Sequence, residues 1–126
     1  MKKAILTPNA PAPIGPYSQG IRSGNMVFLS GQIALDPMTG ELNMEDLATE
    51  THQVMLNIAA LLKEEGLDFS HVVKASIFLS DMNHFQEMNK VYGGYFSDAP
   101  PARETVAVLG LPKGVNVEIS MTAIAP

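Results

Sequence analysis

Two charged residues near the end of the chain, Arg103 and Glu118, are the groups best placed to do chemistry together. Arg103 follows the run Pro100-Pro101-Ala102, whose prolines stiffen the backbone and launch the side chain from a fixed point. A guanidinium held that way suits a small carboxylate, because its planar fork donates two parallel hydrogen bonds. Glu118 is the one ionised residue in a stretch where Val115, Val117, Ile119 and Met121 alternate with Asn116, Glu118, Ser120 and Thr122. Both residues also have a plainer reading. Arginines at strand starts commonly make solvated ion pairs, and strand glutamates commonly sit on a wet face.

The elements that must position them read as two strands, residues 103–109 and 115–124, broken by Gly110, Pro112 and Gly114. The expectation is a hairpin with a wide loop. In that register Glu118 lies opposite Val106 and Arg103 lies near Met121, on the other face, since parity decides the face. The two charges then meet only through a bulge, a strong twist or a neighbouring subunit.

Upstream, residues 3–7 read as a short edge strand, and Pro8, Pro11, Pro13 and Pro16 keep the following arm extended. Tyr17 ends the arm beside Gly15 and Pro16; alone, it reads as a core or interface tyrosine with a satisfied hydroxyl. Residues 20–22 and 26–35 form the next hairpin around Ser23-Gly24-Asn25. Within it Ser30 and Gly31 mark either a kink or a close approach by ligand or backbone. Residues 43–65 turn helical, with Leu47, Val54, Ile58, Leu61 and Leu62 on one stripe, Asn43 as N-cap and Gly66 as the stop. Residues 71–80 are a strand that sets Val73, Ala75, Ile77 and Leu79 against Val72, Lys74, Ser76 and Phe78. A second helix, capped by Asn83, carries Phe85, Met88, Tyr92 and Phe96 inward. Asn89 projects beside that stripe and by itself reads as an interface amide. Gly93 and Gly94 suggest close packing on another backbone.

Composition narrows the classes of function. With 46% hydrophobic and 17% charged residues, the 126-residue chain reads as one globular domain, residues 1–126. A net charge of −5, with eight scattered Lys and Arg, argues against nucleic acid as a partner. There is no cysteine, which excludes disulfides and thiolate metal sites. His84 and Glu87 lie one helical turn apart, but no third metal ligand is in evidence, so no metal is expected. No phosphate loop, dinucleotide fingerprint or internal repeat occurs, and no cofactor is expected. Nothing resembles a signal-peptide core or the roughly 20 apolar residues that span a bilayer. The expectation is a cytoplasmic protein without a membrane partner.

The element order, three strands, helix, strand, helix and two strands, implies an α+β fold: a mainly antiparallel sheet with both helices on one face. Apolar residues on both sides of several strands imply that the second face is covered by other subunits. The segment PARETVAVLGLPKGVNVEISMTAIA (101–125) resembles the C-terminal signature of the RidA/YjgF family of enamine/imine deaminases. The likeness extends to IGPYSQG (14–20), FLSGQIALDPMTGEL (28–42) and VVKASIFLSDMNHFQEMNKVYGGYF (72–96), so nearly the whole chain is covered.

That resemblance implies a chorismate-mutase-like fold assembled as a homotrimer, whose sheets form a central barrel and whose sites lie between subunits. It also implies hydrolysis of short-chain 2-imino and enamine acids, such as 2-aminoacrylate and 2-iminobutanoate, to 2-keto acids and ammonia. On this chain Arg103 would grip the substrate carboxylate and Glu118 would orient or activate the attacking water. The backbones of Gly31 and Thr105 would contact the ligand, and Tyr17, Ser30 and Asn89 would line the pocket. Thr105 stands where well-known members carry cysteine, so no thiol role transfers. Glu104 places a carboxylate beside Arg103, but its opposite parity points it away. The rival class is a small-ligand-binding or holdase-like regulatory protein, or the ribonuclease and translation-inhibitor activity attributed to some relatives.

Overall fold

A computed structural model describes residues 1–126. Eight regular elements occur in the expected order: β1 (Lys2–Ile5), β2 (Gly20–Ser23), β3 (Met26–Leu29), α1 (Leu47–Glu64), β4 (Val72–Leu79), α2 (Phe85–Gly93), β5 (Ala102–Ala107) and β6 (Val117–Ile124). The strands form one six-stranded sheet in the order β1-β2-β3-β6-β4-β5. Neighbours are antiparallel except β4 and β5, which run parallel. The sheet is therefore mixed, and the fold is α+β with both helices packed on it.

Here the expected hairpin of the last two strands fails. β5 and β6 do not pair; β4 lies between them, hydrogen-bonded to both. The α2 segment carries the chain from the end of β4 back to the start of β5, the kind of long crossover that parallel neighbours require. The expected register survives with one strand inserted: Val106 and Glu118 both align with Phe78, and Arg103 and Met121 both align with Ala75.

Alternation places Val117, Ile119, Met121 and Ala123 of β6, and Ala75, Ile77 and Leu79 of β4, against the helices, all essentially buried. Val54, Met55, Ile58, Leu61 and Leu62 of α1 and Met88 of α2 complete this core. Two residues depart from the expected pattern. A bulge between Val72 and Lys74 buries Val72 and turns Val73 outward, because the extra residue shifts the phase of the strand's start. The opposite face of the sheet is bare in the single chain and carries Phe28, Val106 and Ile124 as exposed apolar side chains.

Three boundaries also move. The cap of α1 is Asp46, whose carboxylate accepts from the Thr49 N–H at 2.7 Å; Asn43 instead reaches Gln53. Asp81, not Asn83, caps the 3-10 turn Met82–His84 that leads into α2. α2 ends at Gly93, before Phe96, and a side chain at Gly93 would meet open space, so close packing does not explain that glycine. Gly66 ends α1 with a φ of 71°, as its type predicts.

Candidate functional site

The strand expected over residues 26–35 stops at Leu29. Beyond it the chain leaves the regular ladder, held by isolated Gln32–Ile119 and Leu35–Leu42 bridges and a Ser30 N–H bond to the Gln19 carbonyl. The detour is held from the helix layer, where the Asn57 amide donates to the Ile33 and Leu35 carbonyls at 3.0 and 2.9 Å. From the other side Gln19, buried, ties down the proline arm by bonds to Thr7, Ala10 and Pro11. Glu118 rises into the space created. A Cβ placed on Gly31 would collide with the Glu118 carboxylate, lying 3.0 Å from its Cδ. What approaches Gly31 is thus neither of the expected groups, a ligand or another backbone, but the carboxylate of Glu118 from the same chain.

Around Glu118 lies an open depression of about 370 Å³ lined by Ile14, Tyr17, Ser30, Gly31, Ile33 and Pro112. Tyr17 is half exposed there, with its hydroxyl accepting weakly from the Ile14 N–H at 3.4 Å. Ser30 donates its hydroxyl proton to the Ser18 carbonyl at 2.6 Å, so its oxygen is left as an acceptor. Burial pushes the Glu118 carboxyl above the usual carboxylate range. Glu118 thus sits in a partly apolar hollow as a carboxylate more basic than usual.

Glu50 is the residue in this arrangement that sequence reasoning missed. Its carboxylate, fully buried on α1, accepts from the Asn116 N–H at 2.7 Å, the Asn116 amide at 2.9 Å and the Val117 N–H at 3.1 Å. It therefore pins the start of β6 immediately before Glu118. The available signal was its position three residues after Leu47 and four before Val54, on the apolar stripe.

Arg103, Asn89 and Thr105 form a second cluster. Arg103 leaves edge strand β5 on the helix side, and its Nη1 donates to the Asn89 Oδ1 at 2.6 Å. Its Cζ lies 5.6 Å from the Phe85 ring centroid and 5.1 Å from that of Tyr92. The Thr105 Oγ1 and the Tyr92 Oη are buried without hydrogen-bond partners. Burial raises the Tyr92 phenol, and the Arg103 charge opposes that shift. Glu104 does point away, as parity requires: it pairs with Lys74 at 2.7 Å and accepts from Ser76 on the bare face. Those bonds, Lys74's first, hold its carboxyl below the usual range.

One chain therefore holds the seven residues in two separate clusters, Tyr17, Ser30, Gly31 and Glu118 on one side of the sheet and Asn89, Arg103 and Thr105 on the other. The structure does not bring Arg103 to Glu118. Two of the three histidines are engaged elsewhere: His52 Nδ1 with the Tyr95 hydroxyl at 2.8 Å, and His71 Nδ1 accepting from the Asp68 N–H at 3.1 Å. No helix is long and apolar enough to cross a membrane.

Comparison with known proteins adds the lineage. The chain is 49% identical over 123 residues to a RutC family protein of Pyrococcus horikoshii, covering 98% of each. It is 44% identical over 124 residues to the 2-iminobutanoate/2-iminopropanoate deaminase of Bos taurus, covering 98% of this chain and 90% of that one. The crystal structure of the YjgF gene product from E. coli superposes with a TM-score of 0.93 at 41% identity, covering 98% of this chain and 99% of that one. The family model described as Endoribonuclease L-PSP matches residues 7–125, and with these relatives it establishes that the chain belongs to the endoribonuclease L-PSP family, which includes RidA and YjgF.

Proposed function

We propose that the protein hydrolyses short-chain 2-imino acids and their enamine tautomers to 2-keto acids and ammonia. The observation that carries this reading is the Glu118 carboxylate, raised in basicity and set against Gly31 in a hollow open to solvent. A relative 44% identical bears the name of such a deaminase. Arg103, whose guanidinium gives one of its five N–H groups to Asn89, retains donors for a substrate carboxylate.

In the reaction, Glu118 takes a proton from water as the water oxygen bonds to the imine carbon. The carbon–nitrogen π electrons move to nitrogen and yield a carbinolamine. Glu118 passes that proton to the nitrogen, the C–N bond breaks with its electron pair leaving on ammonia, and the hydroxyl oxygen forms the keto group as its proton goes to Glu118 and from there to ammonia or solvent. A protonated imine is already electrophilic, so positioning and one general base suffice, the base contributing typically about 10²–10⁴-fold. The Tyr17 hydroxyl and the Gly31 backbone border the position where the ligand would sit.

Because Arg103 and Glu118 leave opposite faces, the complete site needs a second copy of the chain, with Arg103, Asn89 and Thr105 of one subunit meeting Glu118, Tyr17 and Ser30 of another. A homotrimer closing through the bare sheet face is the assembly we propose. The family's description names an endoribonuclease, but a net charge of −5 favours a small anion over a polyanion. The test is to generate 2-iminobutanoate in place with a dehydratase and follow 2-ketobutyrate release. Acceleration by the wild-type protein, absent in Arg103→Ala, supports the reading; release at the uncatalysed rate overturns it.

A further inference from the structure

Phe85, Asn89 and Tyr92 lie at i, i+4 and i+7 of α2 and so share one face of the helix. All three touch the same group, the Arg103 guanidinium: Asn89 through the 2.6 Å hydrogen bond, and Phe85 and Tyr92 through rings 5.6 and 5.1 Å from Cζ. An arginine side chain carries a large rotamer entropy, which must be lost whenever it binds an anion from a mobile state. Here that loss is taken at folding. The rings supply their negative faces, the amide fixes the rotation of the fork, and the donors outside the cradle are left for a ligand.

Tyr92 has a feature that separates its ring from its hydroxyl. The residue is 4% exposed, and its Oη is buried with no hydrogen-bond partner. A buried hydroxyl without a partner is destabilising, so it contributes nothing that would select tyrosine over phenylalanine for stability. It is also closed to a ligand. We infer that Tyr92, together with Phe85, is a positioning residue that acts through its ring, holding Arg103 ready for a carboxylate, and that its hydroxyl takes no part in binding or catalysis. This rests on Arg103 being the carboxylate clamp.

The experiment compares wild type with Tyr92→Phe, Tyr92→Leu and Phe85→Leu. Binding of 2-ketobutyrate is measured by calorimetry, steady-state hydrolysis of 2-iminobutanoate is followed, and the order of the Arg103 Nε–H vector is read by ¹⁵N relaxation. Tyr92→Phe should match wild type in all three. Each leucine variant that folds should weaken ketobutyrate binding about tenfold, the span expected for a partly desolvated cation–ring contact. It should raise KM while leaving kcat within about threefold, because a clamp that acts equally on ground and transition states changes binding alone. It should also loosen the Arg103 vector.

Should Tyr92→Leu fail to fold, Phe85→Leu, at a partly buried position, decides the matter. Loss of binding in Tyr92→Phe, or an unchanged Arg103 vector in a folded leucine variant, would overturn the inference. A wild-type protein that neither binds 2-ketobutyrate nor hydrolyses the imine would remove the proposed activity, while the relaxation measurement would still decide whether the rings order Arg103.

Discussion

The Glu118 carboxylate occupies the space that a side chain at Gly31 would fill. Gly31 is not in the left-handed backbone region, so its requirement for glycine is steric and belongs to Glu118 rather than to the turn itself. Gly31→Ala should therefore fold, with an overpacking loss of about 1–3 kcal/mol, and should displace the carboxylate. The expected result is a fall in kcat of about 10²-fold, checked by steady-state assay beside thermal melting. Wild-type turnover in a folded Gly31→Ala protein would detach Glu118 from the chemistry.

Glu118→Gln keeps the shape and removes the basicity. If Glu118 is the base, kcat should drop by about 10²-fold or more while 2-ketobutyrate, held chiefly by Arg103, binds as before. Calorimetry and light scattering check binding and assembly on the same sample.

Burial raises the Glu118 carboxyl, which fixes the sign of two pH dependences. Its stabilising contribution is complete below the unfolded-state carboxyl value and is lost as pH rises through the folded one. Activity runs the opposite way, since the base must be ionised. kcat should climb on an acid limb displaced above that of an exposed glutamate. A ¹³C titration of the Glu118 carboxyl should follow that limb.

Arg103→Ala and Glu118→Gln should each be inactive alone, yet complement one another if the two half-sites come from different subunits. Unfolding and refolding an equal mixture should restore about a quarter of wild-type activity, the fraction of interfaces in which both intact halves meet. No recovery, with mixed assemblies demonstrated by mass spectrometry, would place the site within one chain or abolish it.

Glu50 is a structural prediction. Glu50→Ala strands two backbone N–H groups and the Asn116 amide in the interior, and should destabilise the fold by about 3–5 kcal/mol by denaturant titration. Glu50→Gln retains one acceptor and should lose less.

Period-two alternation and the helical stripes were legible in the chain itself, because they depend only on which residues need burial. That was enough for the element order, the α+β class and the outward aim of Glu104. Arg103 and Glu118 stood out by residue type and spacing, and the resemblance supplied the family and the grouping of seven residues into one site; the structure sets Arg103 against Asn89 and Glu118 against Gly31. Strand pairing was not legible. The loop between residues 107 and 117 carries turn residues that would close a hairpin equally well, and local signals cannot register that β4 fits between β5 and β6. Nor could alternation reveal the bulge at Val73, the partners of the Glu50 carboxylate or the rings around Arg103. Each of those depends on side chains far apart in sequence competing for one interior space, which only the packed structure decides.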